Sequence, residues 1–459
     1  MKRAIRVLLG DAARPVGTIY HTVDRTREHA AFEYDAAWLA RSDRFTIDPT
    51  LLLVRGPQYH KRPADGSIFH AAIADSEPDG WARQVIRRDH AKRWSALRDA
   101  GGELPPLTSD LDFLLEIPDI TRIGALRFQD ESGVFCRTIA PGQRAAPPLI
   151  ELSALLEATR AVETNTETAQ DLAYLRGRGT SLGGMRPKCS IMDDDGTLSV
   201  GKFPSVKDER AVTKGEVLAL QLAARAGIDA AQSRLVESGD AWVAVIKRFD
   251  RDGTLRIPYT SAATLLGSRV DDGITYTYEH LASAIRAHGA DAKVDLQELW
   301  RRIAFSILIT NIDDHLHNHG FLHVERGNWR LSPAFDINPF PERARELKTW
   351  ISEDAGPAAS IENLLEASTI FGLSTKSALE ILRTVEDALA TWRDHARTLG
   401  MTVSEIDAFE EAFEHEERVA AARAIGRAVM TVNPYRRSPI PPSPAGTARD
   451  LIDEDRAET

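Results

Sequence analysis

The sequence predicts an α+β fold of two lobes, in which a β-rich amino-terminal lobe precedes a mostly α-helical carboxyl-terminal lobe. Up to about Asp250, short apolar runs alternate with turn residues at the close spacing that is typical of strands. Beyond Thr260, apolar residues recur at three- and four-residue steps, which is the period of an amphipathic helix. The length of 459 residues corresponds to about three domains of ordinary size.

The amino-acid composition indicates a globular protein and excludes several other classes. Hydrophobic residues make up 43% and charged residues 27%, ordinary values for a globular protein with a large core. No apolar run approaches the roughly 20 residues of a membrane span, so we expect a cytoplasmic protein without membrane contact. Cys136 and Cys189 are too few for a disulfide framework or a cysteine zinc site. The net charge of −11 makes the chain a poor candidate for binding DNA unaided.

The first part of the chain, residues 1–110, is expected to form a β-rich subdomain. The apolar pattern predicts strands at residues 16–20 and 50–54, and residues 32–39 carry aromatics at strand-like intervals. Pro78-Asp79-Gly80-Trp81 is typical of a turn that enters a helix at residues 82–100.

Residues 111–250 are expected to complete the amino-terminal lobe. From Gly177 to Phe249, strands alternate with one strong helix. The predicted elements are, in order, helix 111–115, a hairpin of 124–128 with 134–138, helix 149–162 and helix 213–226.

The carboxyl-terminal lobe is expected over residues 251–432. Its clearest helix spans residues 295–311, and a short β insertion follows at 321–331. Further helices are predicted at 361–371, 377–399 and 404–430. Residues 433–459 combine five prolines with an acidic end, which predicts a flexible tail.

One predicted hairpin places two lysines near a glycine-rich loop. Residues 188–192 and 198–202 flank the turn Asp193-Asp194-Asp195-Gly196, and a turn centred on Asp195 sets Lys188 opposite Lys202. Like charges in this arrangement are unfavourable unless an anion lies near them. The preceding loop, residues 176–184, is rich in glycine, which lets backbone N–H groups approach a phosphate. Its spacing is not that of a Walker A sequence.

A third charged residue belongs to the same region. Glu216 lies on the predicted helix 213–226, on the face of Ala219, Leu220 and Ala223. A carboxylate on an apolar face requires a cationic partner, and Lys202 on the preceding strand is the obvious one. Glu216 also fits a capping box with Thr213, a structural role that is compatible with the first.

A second predicted hairpin follows a polar segment, residues 310–320, that ends the helix 295–311. With Gly327 at the centre of its turn, Asn318 and Asp336 lie nine residues away on either side, so the two would end the hairpin side by side. Their oxygens suit Mg²⁺, which keeps several waters and accepts phosphate oxygens as further ligands. Asp313, five residues upstream of Asn318, supplies a spare carboxylate.

This combination of residues is typical of a kinase. A Gly-rich loop, a strand lysine and a helix glutamate are followed far downstream by Asp, Asn and a second Asp. Two other enzyme classes stay open from the residues. A kinase of small molecules, of the antibiotic type, shares the Asp…Asn…Asp arrangement, and a zinc hydrolase is suggested by the histidines at 315, 317, 319 and 323.

Several segments, spread over nearly the whole chain, resemble the HipA family of bacterial toxin kinases. Each segment alone is a weak signal, but their order and spacing taken together are highly specific to the family. They are Pro78-Asp79-Gly80-Trp81 and residues 122–128, 181–188, 247–251, 311–318 and 332–336. The resemblance implies a two-lobed protein-kinase-like fold with ATP in the cleft. The family often has Lys or Arg before the metal-binding asparagine, whereas this chain has His317, whose neutral imidazole would hold a phosphoryl group less well.

The resemblance also implies roles for individual residues. Asp313 would accept or orient the proton of the substrate hydroxyl, and Asn318 and Asp336 would hold Mg²⁺. Ser181 matches the serine whose autophosphorylation ejects the loop and silences the enzyme. ATP would contact residues of the Gly-rich loop, the paired strands, the segment joining the lobes and the polar loop: Gly183, Gly184, Lys188, Lys202, Glu216, Ile246, Lys247, Phe249 and His315.

The function implied by this resemblance is that of a serine/threonine protein kinase in a type II toxin–antitoxin pair. Such kinases phosphorylate translation components, notably aminoacyl-tRNA synthetases, and thereby arrest growth and promote persistence. A small HipB-like helix-turn-helix antitoxin is the usual partner and carries the complex to operator DNA, which agrees with the acidic charge of this chain. A protein that only titrates its antitoxin is a further alternative.

Overall fold

The computed structural model describes residues 2–24, 27–63, 66–102, 109–137, 144–176, 178, 184–268, 273–341 and 344–427. The predicted phosphorylation site Ser181, the predicted ATP contact Gly183 and the predicted tail, residues 433–459, lie outside these ranges. No helix within them is long and apolar enough to cross a membrane.

The chain begins with a five-stranded antiparallel sheet whose strand order is β4-β3-β2-β1-β5. Its strands are β1 (Lys2–Leu9), β2 (Arg14–Asp24), β3 (Arg27–Tyr34), β4 (Gln58–Tyr59) and β5 (Leu126–Gln129). Alternate residues such as Val7, Ile19 and Phe32 are buried on its inner face. The sheet takes β5 from beyond residue 110, where the first subdomain was expected to end.

The strand predicted at residues 50–54 does not form, and that prediction is wrong. The Asp48 carboxylate accepts hydrogen bonds from the backbone N–H and the hydroxyl of Thr50. The Gln58 side chain accepts another from the N–H of Leu52. Because side chains satisfy these backbone groups, the segment gains little from pairing with a strand.

The described residues of the amino-terminal region form six helices, four between strands of this sheet and two after β5. They are α1 (Ala36–Leu39), α2 (Ala71–Ala74), α3 (Gly80–Asp99), α4 (Asp110–Glu116), α5 (Leu152–Glu163) and α6 (Ala169–Arg176). The long helix α3 starts at the predicted turn, where the Asp79 side chain accepts a hydrogen bond from the N–H of Ala82.

A second antiparallel sheet has the strand order β6-β7-β9-β8. Its elements are β6 (Lys188–Met192), β7 (Leu198–Lys202), β8 (Ser233–Ser238) and β9 (Ala241–Lys247), with helix α7 (Val212–Arg225) between β7 and β8. One of its faces shares a core with α3 and α5, to which Trp81, Val85 and Leu155 contribute. The amino-terminal region is therefore packed directly against this sheet.

Two small sheets follow. The first pairs β10 (Arg251–Asp252) with β11 (Leu255–Arg256), and the second contains β12 (Tyr259–Ser261), β13 (Gly320–Glu325) and β14 (Asn328–Leu331) in that order. The β insertion predicted at residues 321–331 is therefore confirmed.

The rest of the described chain is predominantly helical, as predicted. The helices are α8 (Ala262–Leu265), α9 (Tyr278–His288), α10 (Ala292–Leu308), α11 (Ile361–Glu366), α12 (Thr375–Leu389), α13 (Trp392–Thr398), α14 (Val403–Asp407), α15 (Glu410–Phe413) and α16 (Glu416–Ala424). Helix α10 lies at the centre, with Trp300, Ile303 and Phe305 fully buried.

The two longest predicted helices, 377–399 and 404–430, are divided into shorter ones. Tertiary contacts explain both interruptions. Trp392 stacks on Phe413 with ring centroids 4.4 Å apart, and the buried His415 approaches the carbonyl of Leu308 with its Nε2 at 3.2 Å. These contacts outweigh the helical periodicity of the sequence.

Candidate active site

The β6/β7 hairpin pairs Lys188 directly with Lys202, and the predicted register is confirmed. Its turn is closed by a hydrogen bond from the N–H of Asp193 to the carbonyl of Thr197. Lys188 is only 4% exposed, and the side chain of Lys202 is 16% exposed. Neither is therefore an ordinary solvated strand lysine.

Three carboxylates neutralise this pair of lysines. The Nζ of Lys202 lies 2.6 Å from Oε1 of Glu216 and 2.7 Å from Oδ1 of Asp336. The Nζ of Lys188 lies 3.9 Å from Oδ2 of Asp79. Because 134 residues separate Lys202 from Asp336, this ion pair joins the two lobes. The predicted ion pair between Lys202 and Glu216 is confirmed.

The alternative capping role of Glu216 is wrong. Helix α7 begins at Val212 after Ala211, which makes no side-chain cap. The hydroxyl of Thr213 instead donates to the carbonyl of Trp242, 2.9 Å away. Glu216 is 3% exposed and its described hydrogen bond goes to Lys202.

Mutual charge holds both members of the interlobe pair in their ionised forms. Burial alone would lower the pKa of Lys202, but Asp336 and Glu216 hold that pKa above its ordinary value. Burial alone would raise the pKa of Asp336, but the charge and hydrogen bond of Lys202 hold it well below its usual range. Lys202 therefore stays protonated and Asp336 ionised at neutral pH.

Two asparagines that the sequence reasoning missed fix Asp336. The residue has a left-handed backbone with φ of +56°, which is uncommon for aspartate. The Nδ2 of Asn338 donates to Oδ1 of Asp336 at 3.1 Å, and the N–H of Asn338 donates to Oδ1 of Asn311. Asn311 lies between the end of α10 and Asp313, so it ties the two polar motifs together.

The β13/β14 hairpin forms, but its predicted register is wrong. Phe321 pairs with Leu331 and His323 with Trp329, so the turn is centred on Arg326 instead of Gly327. The register shifts again between His323 and Glu325. Asn318 and Asp336 are therefore not opposed across this ribbon. Each lies on a segment that flanks it.

Asp313 lies on the loop after α10 and contacts a lysine that sequence reasoning missed. Nζ of Lys348 is 2.9 Å from Oδ1 of Asp313, and both side chains are about 40% exposed. The backbone holds Lys348 there, since its N–H donates to the carbonyl of Ile312. The next residue, Thr349, donates its hydroxyl to the carbonyl of Asp314 at 2.6 Å.

The remaining polar residues fold the loop around Asp313. The Nδ2 of Asn318 donates to the Asp313 carbonyl at 3.1 Å, and the N–H of His315 donates to the same oxygen. Asp314 is buried, and its Oδ2 accepts a 2.5 Å hydrogen bond from the hydroxyl of Tyr278. Asp314 therefore anchors the loop, while Asp313 faces outward.

His315 lies close enough to Asp313 and Asp336 for both charges to act on its ring. Burial lowers its pKa, and the charges of Asp313, Lys348 and Asp336 all act on the ring. Its Nδ1 is a buried nitrogen without a hydrogen-bond partner in the described part of the chain. An unsatisfied buried nitrogen at this position is a group that a bound ligand can satisfy.

The histidine-based zinc alternative is not supported by the placement of these rings. Nε2 of His319 lies 3.2 Å from Asp314, and His323 stacks on Phe45 with ring centroids 4.0 Å apart. Among the described residues, no three His, Cys, Asp or Glu side chains are grouped as a metal site. The described histidines therefore do not form the metal site on which the hydrolase alternative rested.

The residues predicted beside the adenine lie at the end of β9. Ile246 is buried and pairs with Val200 of β7, whereas Lys247 is exposed. Phe249 packs on Phe335, the neighbour of Asp336, with ring centroids 5.4 Å apart. In the Gly-rich loop, Gly184 has a left-handed φ of +86°, which suits glycine.

The donor set near Asp336 suits a hard cation. Both Lys202 and Asn338 contact Oδ1 of Asp336, so Oδ2 is the oxygen it can offer. The amide nitrogen of Asn318 is engaged with Asp313, so its carbonyl oxygen is the group it can offer. Oxygen ligands of this kind fit Mg²⁺ together with waters and phosphate.

Two family models match the chain. The HipA N-terminal domain matches residues 5–101, and the HipA-like C-terminal domain matches residues 180–392. Together the matches span about two thirds of the sequence. The chain belongs to the HipA family.

A solved structure agrees with this HipA assignment. The HipA chain of a Shewanella oneidensis MR-1 complex of HipA, HipB and operator DNA shares 16% identity, with a TM-score of 0.60 over 92% of this chain and 98% of that one. The two-lobed, kinase-like fold is thereby confirmed.

Two curated relatives are similar over part of the HipA-family chain. A "Putative kinase" of Haemophilus influenzae is 26% identical over an alignment of 188 residues that covers 36% of this chain. A "Putative kinase Y4dM" of Sinorhizobium fredii is 27% identical over an alignment of 230 residues that covers 46% of this chain. The matches span 55% of the length of each relative, so the chain spans about half the length of the curated relatives it matches.

Proposed function

We propose that this HipA-family chain is an ATP-dependent serine/threonine protein kinase. The observation that carries the proposal is the partly buried set of ion pairs that Lys202 makes with Glu216 and Asp336, which joins a strand, a helix and a distant loop. Phosphoryl transfer depends on positioning and charge neutralisation, and this arrangement supplies both. Both curated relatives are named putative kinases, which supports the same class of enzyme.

The amino-terminal lobe is proposed to hold the nucleotide. Lys202 would contact the ATP phosphates while Glu216 keeps its ammonium in place. Gly184 and Lys188 would contribute to the phosphate site together with Gly183, and Ile246, Lys247 and Phe249 would line the adenine site. His315 would approach the phosphates from the opposite lobe with its unsatisfied ring nitrogen.

The carboxyl-terminal lobe is proposed to perform the transfer. Asp313 would accept or orient the proton of the substrate hydroxyl, and it is exposed enough to reach one. Lys348 beside it would offset negative charge near the acceptor oxygen. Asn318 and Asp336 would hold Mg²⁺, which when bound neutralises charge on the transferred phosphate.

The biological role that we propose is that of the toxin in a HipA/HipB-like pair. The partner would be a HipB-like helix-turn-helix antitoxin, which would make most of the contacts to operator DNA. The net charge of −11 supports this division, because an acidic chain binds a phosphate backbone poorly. The protein substrate would be a translation component such as an aminoacyl-tRNA synthetase, and Ser181 would be the site of autophosphorylation.

Incubation of the purified chain with Mg-ATP tests the proposal. We expect phosphate on Ser181 by mass spectrometry, and transfer to a seryl or threonyl residue of a protein substrate identified by phosphoproteomics after brief expression without antitoxin. Asp313→Asn is expected to abolish both transfer and growth arrest while the fold survives. Transfer at the wild-type rate by this variant, or phosphate at other residues alone, would contradict the assignment.

A further inference from the structure

The first turn of α3, in the amino-terminal region, contacts the end of the Gly-rich loop. The N–H of Trp81 donates to the carbonyl of Gly184 at 3.4 Å. Gly80 faces Met185 so closely that a Cβ at position 80 would lie 2.0 Å from the Met185 sulfur. Trp81 is buried in the core that α3 shares with the second sheet, so this turn is a rigid support.

Asp79 in the same turn uses its two oxygens for different purposes. Oδ1 accepts a 2.8 Å hydrogen bond from the N–H of Ala82 and thereby caps α3. Oδ2 faces the Nζ of Lys188, with side-chain exposures of 0% for Asp79 and 4% for Lys188. A helix cap requires an acceptor oxygen but not a negative charge. The contact of Oδ2 with Lys188 therefore gives the charge of the Asp79 carboxylate a separate role.

Lys188 depends on this carboxylate electrostatically. Burial lowers its pKa, the charge of Asp79 is the strongest influence that raises it, and Lys202 opposite lowers it further. The other two carboxylates of the site, Glu216 and Asp336, are already hydrogen-bonded to Lys202. The ammonium also lies beside Gly184, because a Cβ at Gly184 would be 2.8 Å from Nζ of Lys188.

We propose that Asp79, Gly80 and Trp81 form a docking platform that positions Lys188 and the end of the Gly-rich loop for the phosphates of the nucleotide. This inference rests on the proposed function, in which the site binds ATP. Asp79 acts through Lys188 and is therefore a positioning residue. The amino-terminal region thus contributes directly to the nucleotide site through a turn that lies about 100 residues before the loop.

The variant Asp79→Asn separates the charge from the cap, because asparagine caps helices as well as aspartate does. We expect about tenfold weaker binding of a fluorescent ATP analogue, since a buried lysine loses its counter-charge. The KM for ATP is expected to rise more than kcat falls. Asp35→Asn is the matched control, because Asp35 caps α1 in the same region. Equal affinity in Asp79→Asn and wild type would overturn the proposal.

The variant Gly80→Ala tests the steric part of the platform. Alanine favours a helix over glycine, so without the platform this change is neutral or stabilising. We expect severalfold weaker ATP binding because the added methyl group displaces Met185. The double variant Gly80→Ala/Met185→Ala is expected to recover affinity, because truncation of Met185, which is 63% exposed, removes the clash with the added methyl group. Unchanged affinity in Gly80→Ala, or no recovery in the double variant, would contradict the platform.

Hydrogen exchange without nucleotide distinguishes failure of this inference from failure of the proposed function. If wild type binds no ATP, the proposed function fails, while the platform is still judged by the amides of residues 184–188. Faster exchange there in Asp79→Asn and Gly80→Ala, with Asp35→Asn like wild type, would support the docking. Identical exchange in all four proteins would exclude it.

Discussion

The β6/β7 and β13/β14 hairpins serve the two halves of the candidate site, and they differ in regularity. β6/β7 pairs Lys188 with Lys202 and continues without a shift to Met192 and Leu198. β13/β14 shifts register after His323, and both Arg326 and Gly327 in its turn have left-handed backbones. One ribbon is a regular ladder and the other is bent.

The surroundings of the two ribbons explain this difference. β7 is an inner strand between β6 and β9, and residues 188–191 of β6 are buried. A slip of one residue there would turn every buried side chain to the wrong face. The far end of β13 is exposed, with Val324 at 56%, and its His323 stacks on Phe45 from the first subdomain. Because this end of the ribbon is exposed, it can bend to allow the contact of His323 with Phe45.

The comparison shows where the site has rigidity and where it has freedom. Lys188 and Lys202 are placed by strand pairing itself, whereas Asn318 and Asp336 are placed by the segments before and after a ribbon. The hydrogen bonds of Asn338 and Asn311 therefore hold Asp336 in position, as the strand pairing of β6 and β7 holds Lys202.

Breaking the link between the two halves should give the largest effect. We expect Lys202→Met and Asp336→Asn each to lower the rate of phosphate transfer at least about 1000-fold, because both remove charge at the phosphates. The double variant should be little worse than the more severe single one, because the two residues act as a unit. Initial rates with labelled ATP and parallel thermal unfolding measure this. If the losses of transfer rate in the two single variants add up in the double variant, Lys202 and Asp336 act independently.

Removing the cation beside Asp313 should have a smaller effect. We expect Lys348→Met to lower kcat about tenfold, because the charge near the acceptor oxygen is lost while Asp313 remains. Lys348→Arg should retain most of the activity. Lys376→Met is the matched control, since Lys376 is 86% exposed on α12. If Lys348→Met keeps the wild-type kcat, the ion pair of Lys348 with Asp313 is an ordinary surface ion pair without a role in the reaction.

Acid should weaken the bent ribbon through His323. Burial lowers the pKa of His323 to about 4, so between its ordinary value of 6.5 and about 4 the unfolded chain binds a proton that the folded chain does not. The free energy of unfolding therefore falls as the pH decreases through this window. We expect wild type to lose about 1–2 kcal/mol more than His323→Gln between pH 7 and pH 4.5, allowing for partial exposure of the ring. Urea unfolding at both pH values measures the difference, and parallel losses would contradict it.

The turn glycines should give the smallest effects. Gly196 and Gly327 have nearly equal φ values of +80° and +81°. We expect Gly196→Ala to cost about 1 kcal/mol of stability from backbone strain alone. Gly327→Ala should cost more, because its Cβ would lie 3.3 Å from that of Phe45 while position 196 is open. Denaturant unfolding compares the two, and a greater loss in Gly196→Ala would reverse the expected order.

Local chemistry predicted a substantial part of the site. The turn at Asp193–Gly196 predicted that Lys188 and Lys202 are opposed, and the structure confirms this pairing. The apolar helix face around Glu216 predicted a nearby cation, which is Lys202. The contacts that were missed come from far along the chain: Asp79 lies 109 residues before Lys188, and Lys348 lies 35 residues after Asp313. No local pattern distinguishes such a carboxylate or lysine from an ordinary surface charge.

The amino-acid sequence by itself determined the two-lobed fold, the helical carboxyl-terminal lobe and the register of the β6/β7 ribbon. These follow from periodicity and turn chemistry, which act over a few residues. Only the tertiary structure decided the bend of β13/β14, the division of the long helices and the partners of Asp79, Asp313 and Asp336. The reason is that packing and charge pairing depend on which distant segments meet, and hydrophobic spacing along one segment does not encode its neighbour.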